Sequence, residues 1–290
     1  MDFKFLIISA MVALTALFYN PSPGFASILN TADSFAVLGS STVTNTGSSV
    51  VTGDLGLDPK TSITGFFAVD GGPGIVNGTI YGPGPVSLQA QTDATAAYNG
   101  LASMVSTSNL TGTNLGTLVL TPGVYTFNSS AQLTGPLTLN AQGLNNAVFN
   151  FQIGKTLTTA SASSVTLTNP GLNDGVFWQV GSSATLGTGT TFTGNILADQ
   201  SITLTTGVNI NCGRAIALNG AVTMDTNNVS DNCGGSNSNG SDNGLTIGPN
   251  GGIVPVGTFP TAGAPEPATI ALLGLGLIGF RLKKNKITSV

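Results

Sequence analysis

Four short stretches of the chain share one arrangement of side chains: Ser161-Ala162-Ser163-Ser164, Thr188-Gly189-Thr190-Thr191, Thr206-Gly207-Val208-Asn209 and, far upstream, Thr46-Gly47-Ser48-Ser49. Each runs small hydroxyl, Ala or Gly, any residue, then hydroxyl or Asn, and each stands before a β-branched or aromatic residue: Val165, Phe192, Ile210 and Val50. A threonine offers one methyl and one hydroxyl, and the hydroxyl donates once and accepts twice. Repeated along a regular scaffold, such groups give a neutral hydrogen-bonding surface made of many weak sites. The candidate surface residues are Thr46, Ser49, Ser161, Ser164, Thr188, Thr190, Thr191, Thr206 and Asn209. Threonine also favours strands on backbone grounds, so a purely structural threonine ladder is the competing explanation. That explanation leaves one thing unaccounted for: the tetrads lack Lys, Glu and Asp, the usual means of keeping a sheet surface soluble.

Proton transfer and metal binding need other groups, and the sequence is poor in them. It has no histidine, 7% charged residues, and a single lysine, Lys155, between Lys60 and the C-terminal tail. No catalytic residue, metal-ligand set or cofactor site is expected. A net charge of -4 without a Lys/Arg cluster argues against a nucleic-acid partner. Asp54, Asp58 and Asp70 are spaced by glycines and Pro59 without a calcium-loop pattern, and they read as turn formers. Trp178 and Phe177 sit in an apolar run where at least one belongs to the core, and a carbohydrate-stacking Trp178 is the lesser alternative.

The elements that must position the tetrads are short strands. Residues 30–82 alternate apolar and small polar side chains in runs broken by Gly and Pro. From Ser87 to Met104 the period changes: Leu88, Ala94, Ala97, Tyr98 and Leu101 recur at helical spacing and predict one amphipathic helix. Beyond it, Ala147 to Asn169 is echoed by Gly175 to Asn195 and more loosely by Ser201 to Asn211. A unit that nearly repeats cannot bury its core alone and must stack on its neighbours, so a parallel β-helix is expected. Strict alternation would bury Thr188 and Thr206 together with Phe192 and Ile210. The conflict resolves if the tetrad straddles a corner, where Gly189 and Gly207 permit backbone angles that reset the alternation. Thr188 and Thr191 are then both exposed.

The two ends read as processing segments. Lys4, an apolar run from Phe5 to Tyr19 and a small-residue site after Ala26 predict a signal peptide over 1–26. Pro265, Glu266 and Pro267 precede an apolar stretch from Ala268 to Phe280 and a basic tail. That order resembles the PEP-CTERM sorting signal of Gram-negative exported proteins over 265–290. The resemblance implies an exosortase-type processing enzyme as partner, a transient inner-membrane stage, and secretion or retention at the cell surface. The domain is expected over 27–230, followed by a flexible Gly/Asn/Ser/Pro linker over 231–264. Cys212 and Cys233, the only cysteines, can form one disulfide in an exported chain, with free thiols as the alternative.

Taken from Phe35 through "TPGVYTF", "VFNFQIGKTLTTASASSV" and "VFWQVGSSATLGTGTTFTGNILA" to Asn227, the mature region resembles the DUF3494 family of ice-binding proteins. The resemblance implies a mainly β fold, a right-handed discontinuous parallel β-helix (solenoid) of triangular section with one long helix packed alongside. It implies an early segment that joins coils formed by later chain. It also implies a T-A/G-X-T/N motif, which maps onto Thr188–Thr191 and Thr206–Asn209, and with serine substitutions onto Ser161–Ser164 and Thr46–Ser49. Adsorption to an ice crystal surface needs a large flat face and no cleft, cofactor or general base, so a non-enzymatic role is expected. The alternative is a structural or adhesive protein of the envelope or matrix, with extracellular polysaccharide as its partner.

Overall fold

The computed structural model describes residues 27–232, 244–247 and 252–255. The signal peptide expected over 1–26, Cys233, and the sorting segment with Pro265, Glu266 and Pro267 lie outside these residues. Within them the chain winds into a three-sided solenoid. Each coil lays one strand on each of three sheets, numbered here in the order a coil visits them. Thus Gly175–Val180 lies in sheet 1, Ala184–Leu186 in sheet 2 and Thr191–Thr193 in sheet 3, and Asn195–Ala198 returns to sheet 1. The three sheets hold nine, seven and eight strands among the described residues. Their strands pair in parallel throughout, as the quasi-repeat predicts.

The coils do not stack in chain order. Phe35–Gly39 pairs with Ala215–Ala217 on one side and Asp54–Leu57 on the other. The earliest coils therefore continue the stack where the last one ends. A buried clasp holds the junction: Arg214, 3% exposed, donates to Asn195 Oδ1 at 2.9 Å and from Nε to the Asp33 carbonyl at 2.9 Å. It also pairs with the Asp33 carboxylate at 2.9 Å.

Inside the prism, aromatic side chains from successive coils stack. Phe151 and Trp178 lie face to face with centroids 3.9 Å apart, and Tyr125 and Phe192 extend the column. Trp178 is fully buried and its Nε1 donates to the Thr193 carbonyl at 3.1 Å, so it is core and closed to carbohydrate. Each such ring contributes about 1.5–3 kcal/mol through burial. Phe177, its neighbour, points the other way, and with Leu38, Leu197 and Ile216 it forms the outer side of sheet 1. That side is covered by helix α1 (Pro85–Ser103). The buried positions of α1 are Ser87, Ala90, Gln91, Ala94, Ala97 and Leu101, mostly small, so the helix lies close to the sheet. Leu88, expected on this face, is 56% exposed because it falls one position off the Ser87–Gln91–Ala94 stripe. The Gln91 side chain donates to the carbonyls of Gly39 (2.8 Å) and Ala217 (3.3 Å). Asp93 accepts from the Thr31 hydroxyl at 2.6 Å.

Two further readings are resolved by backbone contacts. Asp70 accepts the N–H groups of Gly65 (2.7 Å) and Gly72 (3.1 Å), and Asp54 that of Thr79 (2.8 Å). These carboxylates tie turns, as their spacing suggested. The stretch over 231–264, expected as one continuous tether, contains a short antiparallel hairpin, Leu245–Ile247 with Ile253–Pro255, whose Leu245 is 1% exposed. Its small apolar islands find a partner in α1 and sheet 1.

Candidate functional site

The tetrads lie where sheet 2 turns into sheet 3. Ala184–Leu186 closes one sheet, Thr188-Gly189-Thr190 forms the corner, and Thr191 opens the other. The second position of the tetrad has a left-handed backbone: φ is 55° at Ala162, 68° at Gly189 and 73° at Gly207. That angle resets the alternation. Thr188 and Thr191 are both exposed, as are Ser161, Thr206 and Thr46, while Ser164 and Asn209 are half-buried on the outer side of sheet 3.

Two of the expected surface residues face inward instead. Thr190 is 0% exposed. It shares a hydrogen bond of 2.9 Å with Thr159 Oγ1 and donates to the Ala160 carbonyl at 3.3 Å. After the left-handed residue the ordinary alternation resumes, so the third tetrad position turns inward beside Phe192. Ser163 occupies the same column and donates to the Leu133 carbonyl at 3.1 Å. Ser49 is the second correction, 1% exposed and donating to Asn45 Oδ1 at 2.5 Å. The Thr46–Ser49 corner is as long as the Thr188–Thr191 corner, with Val51 as far beyond Thr44 as Phe192 is beyond Thr185, so the Thr46–Ser49 match sits one position early in its corner. Val51, and not Val50, takes the inward rank with Val229, Ile210 and Phe192. Ser49 therefore falls in the buried column.

A larger array was missed by aligning on the tetrads. On sheet 2 the centres of successive strands are Gln132, Thr158, Thr185, Thr203, Thr223, Thr44 and Thr64, in unbroken register. All seven point outward and are exposed or half-buried, between inward neighbours such as Leu157, Ile202, Val222 and Val43. Two residues earlier along each strand runs a second outward rank: Ser130, Thr156, Ser183, Ser201, Ala221, Thr42 and Ser62. Its members are tied rung to rung. Thr156 Oγ1 donates to Ser130 Oγ at 2.8 Å, and Ser183 Oγ and Ser201 Oγ accept the N–H groups of Ser201 (3.3 Å) and Ala221 (3.1 Å). Neither rank holds a charged side chain. The signal in the sequence was an apolar residue followed by Thr in six of the seven strands, "LTT", "ATL", "ITL", "VTM", "VTN" and "IT" before Gly65, with "AQL" in the seventh.

Geometry makes this face flat and regular. Neighbouring parallel strands stand about 4.8 Å apart and residues two apart along a strand about 6.7 Å apart, so the hydroxyls and methyls lie on a two-dimensional grid. Threonine is restricted at χ1 by its branched Cβ, and in-register neighbours restrict it further. Sheet 3 is less uniform, its first outward rank reading Pro136, Ser164, Thr191, Asn209, Asn228, Val50 and Ile75. A charge stands at the corner beside the grid: Asp225 accepts from the Thr206 hydroxyl at 2.5 Å and the Thr226 hydroxyl at 3.0 Å. These bonds, that from Thr206 foremost, hold its carboxyl below the usual carboxylate range. Behind the next coil Cys212 is disulfide-bonded, and Cys233 is the only other cysteine in the sequence.

Residues 37–230 match the ice-binding-like family, and residues 264–285 match the PEP-CTERM protein-sorting motif. An ice-binding protein of Nostoc sp. (strain HG1) is 59% identical over 230 residues, which span 79% of this chain and 83% of the relative. An ice-binding protein of Colwellia sp. is 34% identical over 222 residues, covering 71% and 83% of the two chains. Among solved structures, an ice-binding protein from an Antarctic biological consortium superposes with a TM-score of 0.66 at 44% identity, over 71% of this chain and 91% of that one. An ice-binding protein from an Arctic yeast superposes with a TM-score of 0.65 at 29% identity, over 73% and 96%.

Proposed function

The chain belongs to the ice-binding-like family, and from that premise we propose that it adsorbs to ice through the outer face of sheet 2. The observation that carries this reading is the seven-strand rank of Gln132, Thr158, Thr185, Thr203, Thr223, Thr44 and Thr64 with its neighbouring serine and threonine rank. On such a grid the methyls exclude disordered water from between the rungs while the hydroxyls hold the water that remains. A layer fixed at the spacing of the grid merges with the growing crystal and joins protein to ice over a wide area. Each contact is weak, since a hydrogen bond exchanged with water nets about 1 kcal/mol. Their sum is useful because the grid is already ordered: the side chains lose little freedom on adsorption. Lysine or glutamate in these ranks would hold a charged hydration shell and sweep a larger volume.

The corner tetrads extend the face. Thr188 and Thr206 stand at the edge of sheet 2, and Thr191 and Asn209 begin sheet 3, so an ice front reaching round the corner meets further hydroxyls. The role is adsorption and not catalysis. The sorting motif supports export to the cell surface, with an exosortase-type enzyme removing the terminal segment after a transient stage in the inner membrane. Ice outside the cell is then the matching ligand.

The test is recrystallisation in splat-cooled ice, using the chain from Ser27 onward at micromolar concentration. Grains that stay small through annealing support the reading. Grains that coarsen at the rate of the buffer control overturn it. Retention of the protein in an exopolysaccharide fraction without any effect on grain size would favour the adhesive reading in its place.

A further inference from the structure

The hairpin of Leu245–Ile247 and Ile253–Pro255 lies beyond residue 230, where the family match ends, and it is seated on the side of the molecule away from the tetrads. A coil visits sheets 1, 2 and 3 in turn, so the corner between sheets 2 and 3 lies opposite sheet 1. The chain leaves its last coil on sheet 3 at Asn228–Ser230. When next described, at Gly244, it is against sheet 1: a Cβ on Gly244 would come within 2.8 Å of Val148 Cγ2 and 3.1 Å of the Asn173 carbonyl. Leu245 then enters the cluster between α1 and sheet 1, with Leu101, Val148 and Phe177.

The helix is shaped to receive the second strand of the hairpin. Gly100 lies inside helix α1, where glycine is disfavoured because of its backbone freedom, and a Cβ there would stand 2.3 Å from Ile253 Cδ1. The glycine makes sense as the seat of Ile253 and is a cost without it. Two glycines, one on each partner, thus permit two close approaches of hairpin to body.

We propose that this hairpin is a strap that fixes the exit of the C-terminal tail on the helix side, so that a protein held through the end of its tail, once the sorting segment is processed, presents sheet 2 away from the attachment. Magnitudes show why docking matters. A tether free from residue 233 to the start of the sorting motif at 264 would reach roughly 100 Å at full extension, and would impose no orientation. With the strap seated, the segment 256 to 263 is all that separates it from the motif, which bounds the reach at roughly 30 Å. The functional value of that orientation rests on the reading of sheet 2 as the adsorbing face; the docking itself does not.

The experiment separates the two. In the chain from Ser27 to Val290, spin labels at Gly257→Cys and Asn99→Cys report the distance from tail exit to helix, and labels at Gly257→Cys and Thr185→Cys the distance to sheet 2. A narrow, short distribution to Asn99 and a longer one to Thr185 are expected, both broadening when Gly100 is replaced by Leu. Amide exchange over 245–255 should lose its protection in Gly100→Leu, while a second variant with residues 244–255 replaced by a Gly/Ser run of equal length shows the free-tether limit. A native chain that already matches that limit, or a Gly100→Leu chain that keeps narrow distances and protection, overturns the strap. Thermal hysteresis of the unlabelled Gly100→Leu and Gly/Ser-run chains, which keep every sheet 2 residue, should equal that of the unlabelled parent in free solution. Its absence in every sample would count against ice adsorption and leave the docking result standing.

Discussion

Within one coil, single residues divide sharply between surface and scaffold. Thr203 is half-buried at the centre of the sheet 2 rank, and Thr203→Tyr should remove most of the thermal hysteresis while changing unfolding free energy by no more than about 0.5 kcal/mol, as exposed substitutions do. Thr190 predicts the reverse. Thr190→Ala leaves the Thr159 hydroxyl without its 2.9 Å partner, so chemical denaturation should show a loss of about 1–3 kcal/mol with hysteresis kept. Asp225 tests charge. Its folded pKa is depressed, so it contributes stability that is present above the unfolded value of 3.8 and lost as pH falls through the lower, folded value. Melting curves of Asp225→Asn should therefore lose part of the acid dependence seen in the parent below that pH. The same variant should raise hysteresis at neutral pH, because it removes a charged hydration shell at the corner beside the grid.

Corners and strands explain what could be read before any coordinates. The parallel solenoid, the long helix and the joining of early coils to late ones followed from near-repetition and resemblance, and the corner placement followed from Gly189 and Gly207. What escaped was register. Aligning Val50 with Phe192 followed the Thr-Gly pair of the motif, whereas pairing aligns Val51 with Phe192 and so sets Ser49 in the inward column with Thr190. The sheet 2 rank was hidden because its unit is only three residues long and its strands are separated by connections of unequal length. An apolar-Thr-apolar triplet is ordinary strand sequence until parallel pairing brings seven centres into line. The hairpin after residue 244 was hidden by its Gly- and Asn-rich surroundings. At the corner itself a Cβ on Gly189 meets nothing within 4 Å and φ is 68°, so the cost of a side chain is backbone strain alone. Gly189→Val should destabilise by roughly 1–2 kcal/mol, Gly189→Asn by less, since Asn tolerates the left-handed region and Ala162 already occupies it; thermal melts of the two variants check the order.

As a whole, the described residues form a three-sided prism in which one side is spent on stability and another is left for a partner. Sheet 1 is covered by helix α1, and the clasp of Arg214 with Asn195 and Asp33 locks the early coils onto the late ones. Arg214→Met leaves the Asn195 acceptor and the Asp33 carbonyl without their charged donor, and equilibrium unfolding should show a loss on the order of 3 kcal/mol. Sheet 2 carries no such burden; its inward residues hold the fold and its outward residues hold only each other. Adsorption to ice rests on this face, and sheet 3 adds only its corner residues. Thermal hysteresis of the chain from Ser27, of Thr203→Tyr on sheet 2 and of Thr166→Tyr on sheet 3, all at equal concentration, tests it most directly. The account predicts a freezing gap in the parent chain that Thr166→Tyr retains and Thr203→Tyr largely loses. A parent chain without a gap, or a Thr203→Tyr chain that keeps the full gap while Thr166→Tyr loses it, would contradict it.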